Sequence, residues 1–219
     1  NSKAKGVDVL GPTDLQRLPQ AGKLDIVNIL NDVEEVGSWP VQFLLTLCAT
    51  LPKAAGGDRI IGVLPKLLGL WSRARSGATD SWADSRNDVW DTAVRNSSAL
   101  RAALQRSVMD EAAHEIGFGV AVLLLDLEKL YDNISLSKLM QVALAQGYPA
   151  IVALLEIQMF LAPRVLKSRA MVSEYVFPTR SLGAGSSKGV SLAKLFLGPI
   201  MEEAHRVMTL SQVKASSAI

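Results

Sequence analysis

The residues with the clearest chemical potential lie in the stretch GVAVLLLDLEKLYDNIS, residues 119 to 135. The apolar run at residues 120 to 125 leads directly into Asp126 and is typical of a strand that is covered on both faces. A carboxylate at the end of a buried strand needs a partner that offsets the desolvation of its charge. A divalent cation held by oxygen ligands is such a partner, as in two-metal phosphoryl transfer. The alternative is that Asp126 caps a helix, while Glu128 and Asp132 lie on a solvated face.

Two cations flank a tight turn in the stretch LPKAAGGDRIIGVL, residues 51 to 64. Lys53 and Arg59 lie on either side of AAGGD, and the apolar runs around this Gly-Gly turn predict a strand hairpin over residues 43 to 64. Cations at the base of a hairpin can hold a triphosphate through charge-assisted hydrogen bonds. The alternative for both residues is ordinary solvated charge.

A third stretch, SLGAGSSKG at residues 181 to 189, consists mainly of small residues and precedes an apolar helical pattern. Such a loop permits close approach of another backbone or of a base, and the N–H groups at a helix start favour anions. The loop is not a Walker A motif, because Lys188 precedes Gly189 instead of following it. The alternative is a plain connecting loop.

The elements that must position these residues are a mixture of helices and strands. Apolar periodicity and end signals predict helices over residues 24–37, 67–75, 97–117, 135–147, 149–162 and 190–209. A second hairpin is predicted around Ala170, and the strand that ends at Asp126 follows the helix at 97–117. Because helices and strands do not alternate as regular βαβ units, the predicted class is α+β.

Length and composition indicate the class of protein but do not indicate what it binds. The 219 residues suggest one domain, or one domain with a small annex, and the net charge of +2 neither demands nor excludes nucleic acid. No apolar run reaches the roughly 20 residues of a membrane span, so we expect an intracellular, soluble protein. The lone Cys48 lies in an apolar run, which predicts a buried structural thiol in a reducing compartment.

Taken in order, the three stretches resemble the reverse transcriptases of non-LTR retrotransposons and group II introns. Those enzymes carry a fingers segment K…RPI-L-P-x-x-K, a palm strand LDLxKAYDxI and a loop GxxQGxxxSPxLF. This sequence has K-AAGGD-RIIGVLPKLLG, LDLEKLYDNI and GSSKGVSLAKLF. The resemblance implies a fingers–palm fragment of a right-hand polymerase, helix-rich with a small, mainly antiparallel sheet. It divides the chain into a fingers-like region, residues 1–118, and an incomplete N-terminal part of the palm, residues 119–219.

The resemblance also implies roles for the palm residues. Asp126 would be the catalytic residue and the first metal-binding carboxylate, with the carbonyl of Leu127 as a second metal ligand. The cofactor in the complete enzyme would be Mg²⁺ or Mn²⁺. Tyr131 matches the aromatic residue that blocks a ribose 2′-OH, which favours deoxynucleotides as substrates.

The nucleotide-binding set implied by the resemblance spans both regions. Lys53 and Arg59 would contact the triphosphate of the incoming nucleotide. Gly185, Lys188 and Gly189 belong to the loop that would lie over the template base and the incoming nucleotide. The partners of such an enzyme are an RNA template, a DNA primer and deoxynucleotide triphosphates.

The sequence departs from the family pattern at several positions. Lys188 replaces the family's loop Gln, and Ile60 replaces the Pro after the fingers Arg. The palm hairpin [FY]xDD is absent from the 219 residues, so we expect the fragment alone to be inactive. The alternative is a reverse-transcriptase-derived, non-catalytic structural or interaction module with other protein subunits as partners. A third interpretation is a helical adaptor with chance similarity.

Overall fold

The computed structural model of the chain describes residues 5–54, 56–86, 91, 94, 97–120, 127–168, 171–183 and 186–210. The chain forms two compact units. The first is built from residues 1–82 and 129–196, and the second from residues 83–128 and 197–219. The division into fingers and palm regions that the resemblance implies stays a prediction.

The described residues contain helices α1 to α9, which are, in chain order, Pro12–Arg17, Gln20–Val36, Lys66–Ala74, Ser76–Asp84, Ala99–Glu115, Leu130–Asn133, Leu136–Ala145, Ala150–Leu161 and Gly189–Leu210. A short 3₁₀ turn covers Val41–Phe43. The six predicted helices are therefore confirmed. Two of the predicted helix-end residues also act as expected. Helix α2 ends at Gly37, which is in the left-handed conformation, and Ser135 caps α7 by accepting from the Lys138 N–H.

A four-stranded sheet lies within the first unit, with strands β1 (Thr46–Pro52), β2 (Asp58–Val63), β3 (Arg164–Ser168) and β4 (Met171–Val172). The strand order is β2-β1-β3-β4. Strands β1 and β2 form the predicted hairpin, β3 and β4 form the second one, and β1 pairs with β3 in parallel. The sheet is therefore mixed, with two antiparallel pairings and one parallel pairing, and the α+β prediction is confirmed.

The core of the first unit forms around α8, a helix that is apolar on almost every side. Seven of its twelve residues are buried, including Leu155 and Phe160. The indole of Trp39 donates a hydrogen bond of 3.1 Å to the Leu155 carbonyl, and its ring meets Trp71 edge to face at 5.4 Å between centroids. Cys48 is buried, as predicted.

The second unit contains α5, a helix of seventeen residues of which none is buried. Ser98 caps α5 by accepting from the Arg101 N–H, and Arg106 pairs with Asp110 one turn later. Residues 121 to 126 lie outside the described part of the chain, so the predicted strand that ends at Asp126 stays a prediction. Among the described helices, none combines the length and apolarity that crossing a membrane requires.

Candidate functional site

The structure describes some of the predicted site residues and not others. Lys53, Tyr131, Lys188 and Gly189 are described in full within the first unit. Arg59 is described as part of the β2 backbone, opposite Leu51 of β1. Leu127 belongs to the second unit, and Asp126 and Gly185 lie outside the described residues.

The structure brings Tyr131 and Gly189 together. A Cβ atom added at Gly189 would lie 3.6 Å from the ring carbon Cε1 of Tyr131. The Leu182 N–H donates to the Tyr131 carbonyl at 2.9 Å, and the Ser181 N–H donates to the Ile134 carbonyl at 3.0 Å. The segment that contains LYDNI therefore pairs with the start of the 181–189 loop. Tyr131 itself remains 40% exposed.

Ser181 fixes the start of this loop in an unusual conformation. Its φ of 92° is left-handed, which a residue with a side chain adopts only when its surroundings hold it there. The Arg164 guanidinium donates to both the hydroxyl and the carbonyl of Ser181 at 3.4 Å, and the Ser181 hydroxyl donates to Asp132 at 3.4 Å. Ser181 thus connects β3, α6 and the loop.

A second group of polar side chains is buried where α3, α4, α8 and the end of the loop meet. We call it the polar cluster, and its members are Ser72, Thr79, Glu156 and Lys188, all of them buried. The Ser72 hydroxyl donates to Glu156 Oε1 at 2.8 Å and lies 3.1 Å from the hydroxyl of Ser187.

The ammonium of Lys188 points into this cluster. Lys188 Nζ donates to Thr79 Oγ1 at 2.5 Å and lies 3.8 Å from Asp80 Oδ1. Thr79 Oγ1 donates its own hydrogen to the Ser76 carbonyl at 3.0 Å, which leaves its lone pairs free to accept from Lys188. Lys188 is 5% exposed, whereas the side chain of Asp80 is half exposed.

Burial dominates the electrostatics of Glu156. Desolvation raises the pKa of its carboxyl from 4.5 to about 7, against the opposing effects of the Ser72 hydrogen bond and the Lys188 charge. Desolvation also raises the pKa of Tyr148, with the negative charges of Glu156 and Asp80 adding to the effect. No hydrogen-bond partner for the buried Tyr148 hydroxyl lies among the described residues.

The β1–β2 turn presents a different environment. Lys53 is exposed, and its backbone N–H donates to the Gly57 carbonyl at 2.9 Å while its carbonyl accepts from the Gly56 N–H at 3.1 Å. Both glycines have positive φ, of 88° and 78°, which explains their position in the turn. The triphosphate roles of Lys53 and Arg59 stay predictions.

Sequence reasoning missed Ser72, Thr79, Glu156 and Ser181. Glu156 carried a usable signal, because it is the only acidic residue within the apolar helix AIVALLEIQMFL. A carboxylate at such a position needs hydrogen-bonding partners on neighbouring elements. The serines and the threonine carried no signal, since their burial depends on helices that are distant in sequence.

Comparison of the chain with protein-family models and with curated protein sequences gave no match. The described residues contain no group of three or more His, Cys, Asp or Glu side chains that could hold a metal ion. The resemblance to reverse transcriptases therefore rests on the three sequence motifs.

Proposed function

We propose that this chain is the fingers and N-terminal palm portion of an RNA-directed DNA polymerase of the non-LTR retrotransposon and group II intron type. The observation that supports this function best is the contact between Tyr131 and Gly189. The two residues are 58 positions apart in the sequence, 131 to 189, and the resemblance assigns both to one nucleotide site. A chance similarity gives no reason for the palm motif and the loop motif to meet.

The half-exposed ring of Tyr131 can act on a sugar by exclusion. Gly189 has no Cβ atom, so the space beside the Tyr131 ring can accept a flat base. The rigid ring itself fills the space that an additional hydroxyl on the sugar would need. Discrimination of this kind works by a clash against the wrong substrate, and it needs no hydrogen bond to the right one. Lys53 and Arg59 would contribute positive charge to the triphosphate from the β1–β2 hairpin.

The proposed metal ligands fit Mg²⁺ or Mn²⁺ in kind. A carboxylate at Asp126 and a carbonyl at Leu127 are hard oxygen donors, which these ions prefer. They fill two of roughly six positions in an octahedral shell, so the remaining ligands must come from other groups or water. When bound, the metal would stabilise the charge that develops during phosphoryl transfer.

The test is primer extension on an RNA template by a protein in which these residues continue into an aromatic-x-Asp-Asp hairpin. Asp126→Asn keeps the side-chain size and removes the charge, so deoxynucleotide incorporation should fall by about 10³-fold or more. Tyr131→Ala should leave deoxynucleotide incorporation within about tenfold and raise ribonucleotide incorporation, because the ring only excludes. Tyr175→Ala, at an exposed tyrosine, is the matched control and should change neither rate.

Near-normal extension by Asp126→Asn would identify Asp126 as a helix cap and remove the catalytic assignment. An unchanged ribose preference in Tyr131→Ala would remove the sugar-selecting role, although the polymerase assignment could survive. These two outcomes are independent, so each residue is tested separately.

A second candidate is a non-catalytic structural or interaction module derived from a reverse transcriptase. The observation that favours it is the burial of Lys188, because the residue at the family's loop Gln position turns inward to Thr79. The coding sequence beyond Ile219 discriminates between the two. A frame that continues into an aromatic-x-Asp-Asp hairpin favours the enzyme, and a stop codon directly after Ile219 favours the module.

A further inference from the structure

We infer that Lys188 is a positioning residue whose buried ammonium fixes the end of the 186–189 loop against α4 and thereby places Gly189 beside Tyr131. The inference rests on the proposed function only for its last step, the effect on nucleotide selection. Its structural part concerns the loop alone. It differs from the expectation that the Lys188 charge contacts the nucleotide.

The Lys188 side chain points towards α4. Its Nζ atom donates to Thr79 and lies within ion-pair distance of Asp80, and both partners belong to α4. A buried ammonium is stable only when such partners compensate for its lost hydration. To reach a nucleotide in solvent, the side chain would have to leave both partners.

The residues before Lys188 are held in the same place by further hydrogen bonds. Ser187 bonds to Ser72 of α3 at 3.1 Å, and the Ser186 hydroxyl accepts from the Lys188 N–H at 3.1 Å. The Ser186 N–H donates to the Gly183 carbonyl at 3.1 Å. Three consecutive loop residues are thus connected to α3, to α4 or to one another.

The residues after Lys188 connect it to the candidate nucleotide site. The Lys188 carbonyl accepts from the Leu192 N–H at 2.9 Å and so opens α9. Gly189 follows immediately and meets the ring of Tyr131. A displacement of Lys188 therefore moves the start of α9 and the contact between Gly189 and Tyr131 together.

Competitive acylation of lysines in the folded 219-residue chain tests the direction of the side chain. The ammonium of Lys188 should react at least about tenfold more slowly than the exposed Lys23 and Lys53, because it reacts only after local opening. Mass spectrometry of the labelled peptides gives the relative rates. Equal reactivity of Lys188 and Lys53 would place the ammonium in solvent and overturn the inference.

Hydrogen exchange tests the effect on the loop. In Lys188→Met, amides in peptides covering residues 183–192 should exchange about tenfold faster or more, while α2 amides stay unchanged. Thr79→Val removes the acceptor of the Lys188 ammonium, together with the hydrogen bond from the Thr79 hydroxyl to the Ser76 carbonyl, and keeps the Lys188 charge. It should reproduce the same pattern, which also decides the matter if Lys188→Met does not fold. Lys23→Met removes an exposed charge of the same kind and should leave the loop unchanged. Loop exchange within twofold of the parent in both cluster variants would overturn the inference.

The consequence for nucleotide selection is tested in the extended polymerase. Thr79→Val keeps the Lys188 charge, so a direct contact between Lys188 and the nucleotide predicts no change in deoxynucleotide KM. A positioning role predicts that Thr79→Val and Lys188→Met shift the ratio of ribonucleotide to deoxynucleotide incorporation alike, and that the double variant adds little. Different shifts in the two variants would overturn the positioning role. Failure of the parent protein to extend a primer would instead count against the proposed function, while the acylation and exchange results would still decide the loop.

Discussion

The polar cluster and the β1–β2 turn each carry a lysine to which the resemblance to reverse transcriptases gives a role in one nucleotide site, and the surroundings of the two lysines are opposite. Lys188 is 5% exposed, and the partners of its ammonium are Thr79 and Asp80 of α4. Lys53 is exposed at a turn whose shape is set by two glycines. Removing a charge therefore disturbs packed neighbours in one region and only solvent in the other.

The chemical role of a lysine therefore follows from its neighbours and not from the motif in which it stands. Local sequence is similar in kind at the two positions, since each lysine lies within three residues of a glycine and next to at least one other small residue. What separates them is Ser72, Thr79 and Glu156, which helices distant in the chain bring to Lys188. An exposed lysine can recruit a ligand, whereas a buried lysine is already bound to the protein.

The largest expected effect lies in the polar cluster and is a dependence of stability on pH. The pKa of Glu156 is raised from 4.5 to about 7, so the folded chain keeps a proton there that the unfolded chain loses above pH 4.5. Stability from this group is complete below pH 4.5 and is lost as pH rises through about 7. The loss should total on the order of 3 kcal/mol, at about 1.4 kcal/mol per pH unit.

Urea denaturation between pH 4.5 and 8 measures how far the free energy of unfolding falls as pH rises. Glu156→Gln should abolish the part of this fall that comes from Glu156. The glutamine can still accept from Ser72 but cannot ionise, so the variant should gain on the parent as pH rises. The charge that acts on Glu156 is that of Lys188. Asp80 acts on the nearby Tyr148, whose hydroxyl stays neutral between pH 4.5 and 8 because its pKa is raised. Glu35→Gln, at an exposed position of α2, is the control and should keep the parental profile. A Glu156→Gln profile as steep as the parent's would show that Glu156 is ionised throughout.

Among the described residues, the fold was predictable at several positions where the signal was local. Ser98, Gly37 and the Gly56–Gly57 pair act within a few residues of themselves, and α5, α2 and the β1–β2 hairpin begin, end or turn where these residues indicate. The parallel pairing of β1 with β3 was not predictable in this way. Its partners are more than one hundred residues apart, Thr46 opposite Arg164, and neither strand encodes the other.

The geometry of the predicted nucleotide site agrees with the motifs in one contact and departs from them in another. The motifs indicated Tyr131 and Gly189 as members of one site, and the two residues meet. The same motifs placed Lys188 beside the nucleotide, but its ammonium lies against Thr79. A loop sequence specifies flexibility and charge, while the burial of a long side chain depends on which tertiary surface offers hydrogen-bond partners.

A smaller effect is expected from the backbone of the β1–β2 turn. Gly57 has a φ of 78° and open space where a Cβ would lie, so Gly57→Ala should cost about 1 kcal/mol through backbone strain alone. Gly69 lies inside α3 with equally open space, so Gly69→Ala should stabilise the chain by about 0.5–1 kcal/mol. Urea denaturation of both variants measures the two signs. A neutral or stabilising Gly57→Ala would show that the turn changes shape easily, and the contrast with the fixed 186–189 loop would weaken.

The smallest effect on stability is expected from Lys53, and it completes the contrast with Lys188. Lys53→Ala keeps the backbone bonds to Gly56 and Gly57 and removes only an exposed side chain, so the free energy of unfolding should change by less than about 0.5 kcal/mol. Its amides and those of β1 should exchange at parental rates. In a protein extended through an aromatic-x-Asp-Asp hairpin, the proposed function predicts that loss of the Lys53 cation raises the deoxynucleotide KM by about tenfold, and increasingly so at low salt. A variant that is as stable as the parent with an unchanged KM would reduce Lys53 to solvated surface charge. A variant destabilised by more than about 1 kcal/mol would instead show that the turn, like the polar cluster, uses its lysine to hold the fold.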